Sequence, residues 1–85
     1  MRIINVIETS MNGVHGIESF CVFEEQLVDA VAKQAESVFL EKAIEQGALE
    51  NGFDEESLLD DGYYESNEAE DHYQVAIVWS NSNNE

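Results

Sequence analysis

Residues 2–8 read Arg-Ile-Ile-Asn-Val-Ile-Glu, with apolar side chains on both faces of an extended chain. That pattern predicts a central strand buried on two sides rather than an edge strand. Asn12-Gly13 and His15-Gly16 supply turn chemistry in a loop over 10–16. A second strand is predicted over 17–23, with Phe20 and Val22 on one face and Cys21 and Phe23 on the other, so the pair reads as a hairpin. Residues 24–46 follow a helical period. Leu27, Val28, Val31, Ala32, Ala35, Val38 and Phe39 fall within an arc of roughly 140°, while Glu25, Asp29 and Glu36 lie on the opposite side. Glu24 and Glu25 sit in the first turn, where the macrodipole favours acids. Beyond Phe39 the phase slips. Lys42 turns into the apolar arc and Leu40 and Ile44 turn towards the polar face, which predicts a bend packed on a second helix in preference to a dimer contact. Gly47 is placed to stop the helix.

Asp54 is positioned as the N-cap of a short second helix ending before Gly62, with Phe53 packing on Leu58 as a hydrophobic staple. Residues 62–71 are polar and acidic, most simply a loop, although Tyr63-Tyr64 could begin a short strand. A strand is predicted over 72–80, placing Tyr73, Val75, Ile77 and Trp79 on one face, with Tyr73 and Trp79 in the core between sheet and helix. The expected fold is α+β with topology β-β-α-α-β. It is a three-stranded antiparallel sheet in the order 2-1-3, packed by one long helix, with a right-handed crossover bringing the third strand beside the first. Residues 1–80 are expected to form one domain and 81–85 a frayed polar tail. No internal repeat appears.

Charge changes the picture from fold to function. Nineteen acids stand against three basic side chains, giving a formal net charge of −16 on 85 residues. Nine of the acids lie between Asp54 and Asp71, a span without Lys or Arg. Small domains stay soluble at a charge magnitude of about 2–8, and additional like charge destabilises the compact state. A strongly basic partner is the first explanation. A chain of this length is roughly 30 Å across, and that length of duplex DNA carries roughly 18 negative charges. The protein therefore approximates in charge the duplex it could replace. Anionic lipid and nucleic acid would both be repelled, so neither membrane nor direct nucleic-acid binding is expected. With 44% hydrophobic residues the chain can still build a small core.

Little in the sequence supports catalysis. Cys21 is the single cysteine, so no internal disulfide can form, and a reducing cytoplasm is the expected compartment. As a mid-strand residue it reads as a small core hydrophobe. The N-terminus lacks the h-region of a signal peptide, and no apolar run approaches the roughly 20 residues of a membrane span. His15 reads as a loop residue and His72 as a strand-start residue; neither is placed beside a nucleophile. With Gly62 at the sixth position of an EF-hand loop, Leu59 falls on a ligand position, so that match fails. No enzyme activity, cofactor or metal is expected.

A short chain with one unpaired Cys, almost no Lys, and acids spread over helix and loop resembles the small phage-encoded inhibitors that imitate nucleic acid, the anti-restriction and anti-CRISPR proteins. The resemblance is one of composition and spans the whole chain. It implies a cytoplasmic inhibitor that occupies the basic channel of a CRISPR effector or restriction enzyme by DNA mimicry, acting as a monomer or homodimer. The residues expected to stand in for phosphates are Asp54, Glu55, Glu56, Asp60, Asp61, Glu65, Glu68, Glu70 and Asp71, joined by Tyr63 and Tyr64 as aromatic contacts for Arg. Glu25, Asp29 and Glu36 form a supporting helix stripe. The alternative is a protein-interaction module, such as an immunity protein or antitoxin that neutralises a basic toxin. Its binding would rest more on a buried aromatic or aliphatic anchor.

Overall fold

A computed structural model of the chain describes residues 2–11, 13–66 and 72–81, the side chain of Asn81 excepted. β1 (Arg2–Ser10) and β2 (Gly13–Val22) form the hairpin, paired from Arg2↔Val22 to Ser10↔Gly13. The loop expected over 10–16 is mostly strand. β1 runs on to Ser10 and β2 already begins at Gly13, with one extra residue on β2 absorbed as a bulge between Glu8↔Gly16 and Thr9↔Val14. His15, expected in a loop, is that extra strand residue, and its Nε2 lies 2.6 Å from Ser10 Oγ. Gly13 takes φ +110°, which a side-chain-bearing residue adopts only under strain.

One 3₁₀ turn (Glu25–Leu27) leads into α1 (Val28–Glu45). That turn rotates Leu27 out of the predicted stripe and leaves it 46% exposed. Ala35, Phe39 and Ala43 are buried, and Val28, Val31, Ala32, Val38 and Leu40 pack against the core. Gly47 (φ +88°) closes the helix: its N–H donates to Ile44 O at 3.0 Å and the Ala48 N–H to Ala43 O at 3.1 Å. This pair of bonds is the Schellman pattern, which satisfies two otherwise orphaned carbonyls. α2 (Glu55–Asp61) begins at Asp54, whose side chain accepts from Ser57 N at 2.8 Å, and ends at Gly62 in the left-handed region.

The sheet has four strands, not three. β3 (Tyr63–Glu65) and β4 (Gln74–Asn81) complete an antiparallel sheet in the order β2-β1-β4-β3, with β1 and β4 inside. The added strand pairs Tyr63↔Ala76, Tyr64↔Val75 and Glu65↔Gln74. It forms because Gly62 turns the chain at the end of α2 and accepts from Ile77 N at 2.9 Å, laying two aromatic residues of high strand preference along the β4 edge. The strand expected to end at 80 pairs as far as Asn81↔Arg2, while 82–85 of the expected tail lie outside the described residues. His72, expected at the strand start, precedes β4 with φ +50°.

Ile4, Val6, Val22, Tyr73 and Val75 on one sheet face meet Phe39 and Ala35 of α1, Leu58 of α2 and Tyr64 of β3. The chain is thus two layers thick, and the described residues span 40 × 27 × 15 Å. Among the described residues no element covers the other sheet face, where Ile17, Tyr63 and Val78 are 41–56% exposed.

Candidate functional site

Among the described residues, the predicted acidic site is divided among α1, α2 and β3. Asp54, Glu55 and Glu56 form the start of α2, where Asp54 spends its carboxylate on the Ser57 N–H. That bond holds the Asp54 carboxyl below its ordinary pKa. Asp60 and Asp61 lie one helical length away, at the C-terminal end of α2. Glu65 projects with Tyr63 from the other sheet face, by the alternation of β3. There it accepts from the Tyr63 hydroxyl at 3.0 Å and from Gln74 Nε2 at 3.4 Å. Partial burial first, and then the Glu65 carboxylate, push the Tyr63 phenol up. Glu25 pairs with Arg2 at 3.2 Å, and Asp29 is exposed in the first turn of α1. Glu68, Glu70 and Asp71 lie outside the described residues.

Tyr64 corrects the expectation most sharply. It is 1% exposed, so it cannot contact a partner. Its hydroxyl donates to Gln46 O at 3.2 Å and accepts from Asn51 Nδ2 at 2.9 Å, and its ring meets Phe53 edge-on at 5.6 Å. Tyr64 therefore ties the segment between the helices to the sheet. Phe53, expected as a staple on Leu58, is engaged by this ring. Trp79 makes the opposite correction. Expected in the core, it is 47% exposed.

Trp79 instead walls a groove of about 250 Å³ between α1, α2 and the sheet. Ile4, Leu59 and Ile77 form its apolar lining, and Glu36, Asp60 and Asp61 bring three carboxylates to it. The helix stripe and the acidic segment, far apart in sequence, meet here through one member of the first and two of the second. Arg2 lies 5.9 Å from the Trp79 ring centroid, a cation–π contact made within the chain. Sequence reasoning missed the groove because it assigned Trp79 to the core.

Neutralisation is sparse elsewhere. Fifteen of the nineteen acids are described, and ion pairs engage three of them: Glu25 with Arg2, and Glu8 and Glu18 with Lys42. Among the described residues, no three His, Cys, Asp or Glu side chains converge as a metal site requires. Cys21, expected in the core, is exposed on the open sheet face. No helix among the described residues is long and apolar enough to cross a membrane. No protein-family model, curated protein or solved structure matches the chain.

Proposed function

We propose that this protein inhibits a basic nucleic-acid-binding protein or complex, of the kind represented by CRISPR effectors and restriction enzymes, by presenting carboxylates where phosphates would lie. The observation that carries the reading is the groove at Trp79. There an aromatic face and an apolar lining stand beside Glu36, Asp60 and Asp61, with no described ion pair on any of the three. Arginine suits such a place: its guanidinium pairs with carboxylates and stacks on an aromatic ring. Exposed pairs contribute only about 0–1 kcal/mol each, so binding would draw on many carboxylates at once and on electrostatically steered encounter.

The half-exposed Trp79 also favours a second reading, in which the partner is a basic toxin or other protein held mainly by an aromatic anchor. Salt separates the two. Phosphate-like binding weakens steeply between about 50 and 200 mM salt, and anchor-dominated binding weakens little.

The test is capture of proteins from a bacterial lysate on the immobilised chain at low salt, with duplex DNA as competitor. Mimicry predicts capture of nucleic-acid enzymes that duplex DNA displaces and that the triple variant Glu36→Lys, Asp60→Lys, Asp61→Lys fails to hold. Recovery of nothing, or of proteins that duplex DNA leaves in place, would overturn it.

A further inference from the structure

We propose that the open face of the sheet is a self-association surface, on which a second copy of this chain stacks sheet against sheet. Strand pairing places Ile17, Ile7, Ala76 and Tyr63 in one continuous row across all four strands. The adjoining rows are Ser19–Asn5–Val78 and Cys21–Ile3–Ser80 on one side, and Val14–Thr9–Gln74–Glu65 on the other. Of these fourteen side chains only Glu65 is charged, in a chain of net charge −16. The other described acids lie off this face, so a basic partner has nearly nothing to pair with here. A neutral, apolar-centred partner suits it, and a second copy brings such a surface in the same geometry.

Six of the polar side chains of the face are already paired within it. Ser19 donates to Asn5 Oδ1 at 2.6 Å, Thr9 to Gln74 Oε1 at 3.4 Å, and Tyr63 and Gln74 to Glu65 at 3.0 and 3.4 Å. Burying a polar group is costly chiefly when it loses its hydrogen bonds. These groups keep theirs when water leaves.

Area bounds the interface. Fourteen positions, each about 4.8 Å by 6.7 Å, give a face of roughly 450 Å² per copy. Two copies would bury about 900 Å², the range of weak, reversible associations. Repulsion between the copies is muted, because most carboxylates face outward behind a 15 Å slab and the Debye length is about 8 Å at physiological salt. The expected dimer is weak, and it turns both Trp79 grooves away from the interface.

Sedimentation equilibrium of the unaltered chain tests this, with Cys21 as a built-in reporter on the face. Twice the chain mass should appear at high concentration. Cys21 should react more slowly with a maleimide as the dimer fills, and Ile17→Lys or Val78→Lys should weaken the dimer at least tenfold. Both positions are exposed, 56% and 41%, so circular dichroism should report an unchanged fold. Raising salt should tighten the dimer by screening like charges, whereas it should loosen binding to a basic partner, so the two proposals fail separately. A chain that stays monomeric at high concentration and high salt overturns the proposal. So does a dimer indifferent to both lysine substitutions, or a Cys21 reactivity independent of concentration.

Discussion

Lys42 Nζ lies 2.9 Å from Glu8 Oε1, joining the second half of α1 to β1 through a side-chain pair that is about four-fifths buried on each side. The other oxygen of Glu8 accepts from the Tyr73 hydroxyl at 2.7 Å, and Glu18 adds a second carboxylate 3.6 Å from the ammonium. A lysine at an apolar helix position is therefore explained by one acid directly across from it. Replacing Lys42 by Met should cost about 1–2 kcal/mol, because Glu8 keeps its burial and loses its cation. Adding Glu8→Gln should recover part of that loss, since Gln still accepts from Tyr73. Urea unfolding of the two single variants and the double variant checks the cycle; additive losses would show that the pair is not coupled.

The same cluster sets pH limits. Partial burial raises the Glu8 carboxyl, but the Tyr73 and Lys42 hydrogen bonds and the Lys42 charge outweigh it and hold its pKa below 4.5. Its stabilisation is present above that unfolded value and is lost as pH falls through the lower folded one. Lys42, raised above 10.5 mainly by its bond to Glu8, and Tyr73, raised above 10 mainly by burial and then by Glu8, act at the other end. Their contributions are complete below those unfolded values and decline as pH rises beyond them. Stability should fall above about pH 10, and Tyr73 should ionise only as the chain unfolds. Tyrosinate absorbance followed alongside far-ultraviolet circular dichroism checks this, and full ionisation of all three tyrosines before unfolding would refute it.

Local chemistry made much of the fold legible: the Asp54 cap, the Gly47 stop, the central β1 and the helical stripe all follow from side-chain types at adjacent positions. The fourth strand was harder to read. Three residues carry too short a pattern, and Tyr63-Tyr64-Glu65 becomes a strand only because Gly62 delivers it to the β4 edge. Burial of the aromatic residues was the least legible, since alternation assigns a face but not the extent of its cover. Tyr64 is buried because the segment after α1 closes over it, whereas Trp79 lines an open groove between the helices and the sheet. The acidic segment looked like one surface in sequence, and the helix-to-strand reversal at Gly62 splits it.

Gly47 tests the backbone argument alone. An added Cβ would meet Glu50 Oε1 at 3.7 Å, an ordinary contact, so the expected penalty comes from its φ of +88°. Gly47→Ala should lose about 1–2 kcal/mol by thermal unfolding, and Gly47→Asn less, because Asn tolerates the left-handed region better. Equal losses for the two would point to a different cause.

Burial predicts that Trp79 and Phe39 behave oppositely although both are large aromatics. Phe39 is fully buried, and Phe39→Ala should cost about 3–5 kcal/mol, enough to unfold much of a small domain. Trp79→Ala, removing a ring already 47% exposed, should cost clearly less and leave the circular dichroism spectrum intact. If Trp79 is the anchor of the groove, the same variant should lose partner capture while remaining folded. A Trp79→Ala chain as unstable as Phe39→Ala would return the ring to a structural role.

Asp60 and Asp61 set stability against function. Both occupy the last turn of α2, where carbonyl ends carry partial negative charge and an acid is the unfavourable choice. With three basic side chains against nineteen acids, two more carboxylates there also add to self-repulsion. Asp61→Lys should therefore raise stability by a few tenths of a kcal/mol, most visibly at low salt. The same change puts a cation beside Trp79 and Glu36 in the groove, where it should compete with an incoming guanidinium and weaken capture of a basic partner. Paired measurements, thermal unfolding at about 20 and 200 mM salt and partner capture, decide the matter. A variant that is more stable and binds less well marks Asp61 as a binding residue retained at a cost in stability. One that is more stable and binds equally well removes Asp61 from the site.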